Sequence, residues 1–277
     1  LLQNQASCPF KAFAAGRLSL EPLGEEVVGL SAAERGSLLH SALYALWGEI
    51  GDSETLGAMN EAERSAAAAR SAAAALDSAP GALKQLAGMG CMELEQQRLA
   101  ALLREWLALE ATRSPFVVSA REAPLEFDLA GLPLSLRVDR VDALADGGRL
   151  VIDYKSGRNS LSAWLGERLS QPQLPLYGLA TGVEGIAFAQ VRAREARFIG
   201  IGALEGVAGM ESDIAKATSR SQLEIDNWPQ LLEHWRITLE SLATDFLAGV
   251  ATVDPEPGAC TFCGFGALCR VALSESG

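Results

Sequence analysis

The chain has 277 residues, 49% of them apolar, enough for a substantial core, and a formal net charge of −12. That charge counts against a protein that coats nucleic acid non-specifically. It leaves room for a local basic groove and for carboxylates that hold cations. No apolar run is long enough to span a bilayer, and LLQNQASCPF lacks the basic region of a signal peptide, so a cytoplasmic chain with no membrane partner is expected.

The first hundred residues read as helical. Leu38, Leu39, Ala42, Leu43, Leu46 and Trp47 fall at helical spacing. Residues 52–76 are Ala-rich and charged, predicting a solvated helix whose small residues let neighbours approach. Residues 93–111 predict a stronger helix, apolar at Leu99, Leu102, Leu103, Trp106 and Leu109, that stops at Arg113-Ser-Pro. From Phe116 the period changes to two. Separate strands are expected at 116–119, 125–129, 134–139 and 150–154, with turns at Gly131-Leu-Pro and Asp146-Gly-Gly. A helix near 174–180, two strands within 185–204 and an amphipathic helix at 228–248 follow. No repeat and no linker divides the chain. The expectation is one α/β domain, residues 1–277: a mostly helical part (1–115), a catalytic sheet (116–204) and a helical end (205–277).

The segment RVDRVDALADGGRLVIDYKSG, residues 137–157, carries the chemistry. It reads as two strands and a tight turn, with Asp139 on the first and Asp153 and Lys155 on the second. Alternation sends Asp153 and Lys155 to one face and Leu150, Ile152 and Tyr154 to the other. Carboxylates are hard oxygen ligands that suit Mg²⁺ or Mn²⁺, and a neighbouring lysine can orient water or stabilise charge on a phosphoryl group. An isolated D-x-K tripeptide is more often a surface ion pair.

Together these segments resemble the PD-(D/E)xK nuclease superfamily in its RecB/AddB/Cas4-like branch. The resemblance rests on V-D-R-V-D, V-I-D-Y-K-S-G, Gln173-Leu-Pro-Leu-Tyr177 and Arg35-Gly-Ser-Leu-Leu-His40, and it runs from about Cys8 to Cys269. It implies a restriction-endonuclease-like core, a central mixed sheet flanked by helices. It also implies a metal held by His40, Asp139, Asp153 and the Tyr154 backbone carbonyl, with Lys155, Gln173 and Tyr177 beside it. Gln171 is the alternative to Gln173 in a shifted register. Relatives often carry glycine where this chain has Arg137. Asp142 is expected to serve a salt bridge or turn, and Glu122 and Glu126 to lie on the solvated face.

Five cysteines without a secretory signal argue against a disulfide framework. Cys260, Cys263 and Cys269 crowd a loop loosened by Gly258, Gly264 and Gly266, and Cys8 would complete a set of four. Spacing alone leaves zinc and an iron–sulfur cluster equal. The resemblance implies a 4Fe–4S staple joining the ends of the domain, while Cys91 is expected to be a small buried hydrophobe.

The function expected is a Mg²⁺- or Mn²⁺-dependent DNA exonuclease in repair or recombination. The chain lacks a Walker A pattern and an initiator Met, which fits a domain working beside a helicase domain or subunit in an AddB-like protein. The alternatives are an inactive nuclease fold that clamps DNA or a partner, and a metal-stapled interaction domain.

Overall fold

The computed structural model describes all residues except 23–28, 205, 220, 222, 262 and 272–277, and residues 82–90 by their backbone alone. The N-terminal segment forms α1 (Leu2–Ser7), α2 (Pro9–Ala12) and a π-helical turn over Phe13–Arg17. Ser31 opens α3 (Ala32–Ile50) with a capping box: its hydroxyl accepts from Glu34 N, and the Glu34 carboxylate accepts from Ser31 N. The single helix expected over 52–76 is two, α4 (Ser53–Ala58) and α5 (Glu61–Asp77). Asp52 and Asn60 cap their starts, which is why the chain breaks between them. The helix expected from 93 begins earlier, as α6 (Gly81–Glu110).

Six strands form one mixed sheet in the order β1 to β6. They are β1 (Phe116–Leu129), β2 (Leu132–Leu144), β3 (Arg149–Lys155), β4 (Gly185–Gln190), β5 (Arg197–Gly202) and β6 (Met210–Glu211). The two strands expected before Gly131 are one long strand, joined to β2 by a turn at Ala130 and Gly131. Both turn residues take positive φ, the conformation that two-residue hairpins need. β3 is central, antiparallel to β2 and parallel to β4. The parallel step requires a crossover, which α7 (Gln173–Thr181) provides. The chain ends with α8 (Ile214–Ser219), α9 (Trp228–Leu247) and α10 (Gly266–Cys269).

Two cores cover the two faces of the sheet. On one, Leu150, Ile152, Tyr154, Ala187 and Ala189 meet buried residues of α3, α5 and α6. Ala67, Ala68, Ala72 and Ala75 of α5 are buried there, so its small-residue stripe lies in the core rather than in solvent. On the other, Val151, Ile186, Phe188 and Ile201 meet Leu174 and Tyr177 of α7 and Leu231, Trp235 and Leu239 of α9. The alternation of β3 thus sends even-numbered side chains to one core and odd-numbered ones toward α7.

The two chain ends are clasped together. Phe10 N donates to Thr252 O at 3.0 Å, and Glu256 N donates to Ser7 O at 2.9 Å. Arg17 donates to the Phe246 carbonyl, and Arg168 pairs with Asp254 and Glu256.

Candidate metal centre

Asp139 lies near the middle of β2, and its Oδ2 accepts the Tyr154 N–H at 2.9 Å. His40, on the inner side of α3, places Nε2 3.0 Å from the Tyr154 carbonyl oxygen and Nδ1 3.3 Å from Asp139 Oδ2. Tyr154 therefore presents its N–H and its carbonyl to the cluster, while its ring is buried in the core under α3, edge-on to the His40 ring with centroids 6.0 Å apart. Asp153 is fully buried. Lys155 Nζ pairs with its Oδ2 at 2.7 Å, while Oδ1 has no hydrogen-bond partner among the described residues. An ionised carboxylate left in that state is unusual and costly unless something else binds it.

The charges of these groups respond to one another. Burial pushes the Asp153 carboxyl up, to about 6, against the pull of the Lys155 ammonium, and the Asp139 charge adds to the rise. Burial alone would lower the His40 pKa. The hydrogen bond and charge of Asp139, with the Asp153 charge and the Tyr154 carbonyl, outweigh it and raise it. Both ring nitrogens face oxygens, and a cation taken at Nε2 would need that nitrogen free of a proton.

Lys155 also donates to Gln173 Oε1 at 3.3 Å, Gln173 Nε2 donates to Tyr177 Oη at 2.8 Å, and Tyr177 donates to the Arg137 carbonyl at 2.6 Å. This chain of contacts ties α7 to both catalytic strands, because residues 173 and 177 are one helical turn apart. Gln171 instead approaches Asn159 and does not reach Lys155.

Glu122 corrects an expectation. It was assigned to the solvated face, yet it is half-buried, with Oε1 3.9 Å from His40 Nδ1, and it groups with His40 and Asp139 as a set of donors able to hold a cation. Its φ of +44° lies in the left-handed region, rare for a residue with a long side chain. Glu122 and Asp139 fall opposite each other between the paired residues Arg121–Arg140 and Ala123–Val138, and the ladder is interrupted there. Burial and the Asp139 charge raise its pKa, opposed by His40 and Arg137. Glu126 is exposed and accepts from Ser135. Asp142 is a buried ion-pair partner of Arg140 and Arg113.

The cysteines behave differently from the carboxylates. Cys8 is buried, Cys263 and Cys269 are half-buried, and Cys260 is exposed. Among the described residues the four sulfurs do not gather around a common point, so as arranged they form no site for a cluster or for zinc. Cys91, expected to be buried, is exposed; among the described side chains of α6 the buried apolar ones are Leu99, Leu103, Trp106 and Leu107.

A six-stranded mixed sheet that carries two aspartates and a lysine at its centre, under a helical histidine, defines a hydrolase fold with a cation-binding face. The chain belongs to the PD-(D/E)XK nuclease superfamily, whose family model matches residues 2–270. Members of that superfamily act on phosphodiester bonds and bind nucleic acid, and the oxygen-rich donor set here suits a divalent cation. The solved structure described as "Crystal structure of SSO0001" is 13% identical, with 94% of this chain and 93% of that chain covered and a TM-score of 0.35, too low to carry an argument. No curated protein matches the chain. No helix among the described residues is long and apolar enough to cross a membrane.

Proposed function

We propose that the chain is a Mg²⁺- or Mn²⁺-dependent deoxyribonuclease that trims DNA ends. The observation that carries this reading is the buried Asp153 carboxylate, paired with Lys155 at one oxygen and unpartnered among the described residues at the other, beside Asp139, His40 and the Tyr154 carbonyl. Those four groups would hold the cation, with Glu122 as a further carboxylate at its edge. When bound, the cation supplies Lewis-acid polarisation of the phosphate and a water of lowered pKa. Lys155 is held by Asp153 and Gln173 so that its ammonium faces the negative charge that grows on the phosphoryl oxygens. Tyr177 fixes Gln173 from below, and α7 thereby sets the position of Lys155.

The motifs around His40, Asp139, Lys155 and Gln173 favour the RecB/AddB/Cas4-like branch. With it come an exonucleolytic action in DNA repair and recombination, a single nuclease domain working beside a helicase domain or subunit, and a place in the cytoplasm. The clasp of the chain ends supports a four-cysteine staple, since Cys8 follows Ser7, whose carbonyl accepts from Glu256, four residues before Cys260. A 4Fe–4S cluster would draw those sulfurs together. Anaerobically purified protein should then carry about four irons per chain and absorb in the visible. Stoichiometric zinc, or no metal at these cysteines, would overturn the cluster.

The activity test uses end-labelled linear DNA and closed circles with Mn²⁺. Linear DNA should be degraded and circles spared, EDTA should stop the reaction, and Lys155→Ala should lose about 10²–10³-fold in rate. Wild type that binds DNA without cutting it would favour an inactive clamp on the same fold.

A further inference from the structure

The metal centre opens on one side into a groove of about 920 Å³, at the upper end of the range for ligand sites (about 300–1,000 Å³). One wall is the outer face of α3, where Gly36, Ser37, Ser41 and Ala45 are all small; Ala74 of α5 and Ser78, which follows that helix, line it too. A second hollow holds Lys155, Asn159 and Gln173, and the two share Ala33, Gly36 and His40. The two hollows adjoin at His40.

Tyr44 and Arg137 line the groove beyond His40. Tyr44 is 47% exposed, an aromatic ring left in solvent on a helix whose other large apolar residues are buried. It is also held firmly. Arg121 lies 4.6 Å from its ring centroid and donates to the Tyr44 carbonyl at 2.6 Å. Gly48 makes that possible, since a Cβ there would stand 2.5 Å from the Arg121 guanidinium. The ring is thus backed by a cation on one side and faces the groove with the rest of its surface. Arg137 is 70% exposed, and its only ion pair among the described residues is a loose one, 3.9 Å from Glu122. On a chain of net charge −12, two arginines beside an exposed aromatic ring are a local departure from the average.

Resting on the nuclease reading above, the geometry points to a nucleotide subsite at Tyr44 and Arg137, in which a base of single-stranded DNA stacks on Tyr44 while Arg137 meets the adjoining phosphate. A base inside a duplex has no free face for such a ring, so the occupant is an unpaired segment next to the scissile phosphate. Glu122 Oε2 stands 3.9 Å from Arg137 Nη1, and a phosphate entering the groove would replace it as the arginine's partner.

The test measures binding of a fluorescent oligothymidylate to the 277-residue chain, with Ca²⁺ in place of Mg²⁺. Tyr44→Ala should weaken binding about tenfold, the low end for a base–aromatic stack, while Tyr44→Trp keeps it within about twofold. Arg137→Ala should flatten the slope of log K against log salt by about 0.7, the contribution of one phosphate contact to a single strand. All three should melt as wild type does. Undiminished binding by Tyr44→Ala, or an equal loss in Tyr44→Trp, overturns the subsite. Wild type that cuts DNA in Mn²⁺ while Tyr44→Ala binds normally overturns the subsite alone; wild type that neither cuts nor binds overturns the nuclease reading with it.

Discussion

Asp153→Asn should abolish DNA cleavage and, in EDTA, make the protein more stable than wild type. The activity half follows from ligand chemistry, because an amide oxygen is a poor substitute for a carboxylate at a divalent cation. The stability half follows from burial. Asp153 sits buried on the central strand with Lys155 at one oxygen and no partner among the described residues at the other, and its carboxyl is raised to about 6. Folding without a cation therefore works against the ionised form, by on the order of 2 kcal/mol at neutral pH. The sign can be checked with pH. A group whose folded pKa is raised binds its proton more tightly in the native state, so its stabilising effect is complete below the unfolded value near 4 and is lost as pH rises through about 6. Metal-free wild type should accordingly gain on Asp153→Asn as pH falls from 7 to 4. The Asp153 charge is itself one cause of the raised His40 pKa, so the difference between the two proteins reports Asp153 together with its coupling to His40. Melting curves in EDTA across that range decide the matter; parallel curves would remove the strain argument.

Arg140→Ala should be the most damaging single change to the fold, at about 3–5 kcal/mol. Arg140, Arg113, Glu110 and Asp142 form a closed set of two cations and two anions, all within 1% of full burial. The Arg140 guanidinium also lies 3.9 Å from the Trp47 ring centroid, so its loss removes packing as well as charge. Deleting it leaves an excess of buried negative charge, a cost comparable to the whole stability of many domains. Pairing Arg140→Met with Asp142→Asn should recover a part of the loss, because the orphaned anion goes too. Denaturant unfolding of the single and double variants measures this, and additive losses would contradict it. The network also reaches the metal centre. Arg140 Nη1 lies 3.4 Å from Tyr154 Oη, and the peptide groups of Tyr154 anchor Asp139 and His40.

What was legible in the sequence followed regular periods. Asp153 and Lys155 share a face because strands alternate, and Gln173 and Tyr177 share one because helices repeat near every fourth residue. Glu122 was not legible, since its direction depends on a backbone angle of +44° that no residue pattern announces. One signal was present. Counting back from the Ala130–Gly131 turn, with Leu129 opposite Leu132, places Glu122 across from Asp139, but only once β1 is read as one strand rather than two. The α4–α5 break was missed because alanine fits a helix equally well on either side, and the deciding groups were the caps Asp52 and Asn60. Cys91 misled because burial in a long helix depends on where its neighbours end. The buried ion network was foreseen only at Asp142, as Glu110 and Arg113 meet Arg140 and Asp142 only once the chain folds, Glu110 and Arg140 being 30 positions apart.

The clasp between the chain ends governs the order in which the molecule assembles. Arg17 and Phe246 stand 229 positions apart, and closing so long a loop in an unfolded chain costs about 5 kcal/mol of entropy. Local hairpins such as β2–β3 close loops of a few residues and meet almost none of that cost. The clasp therefore forms after the sheet has already shortened the path between the ends.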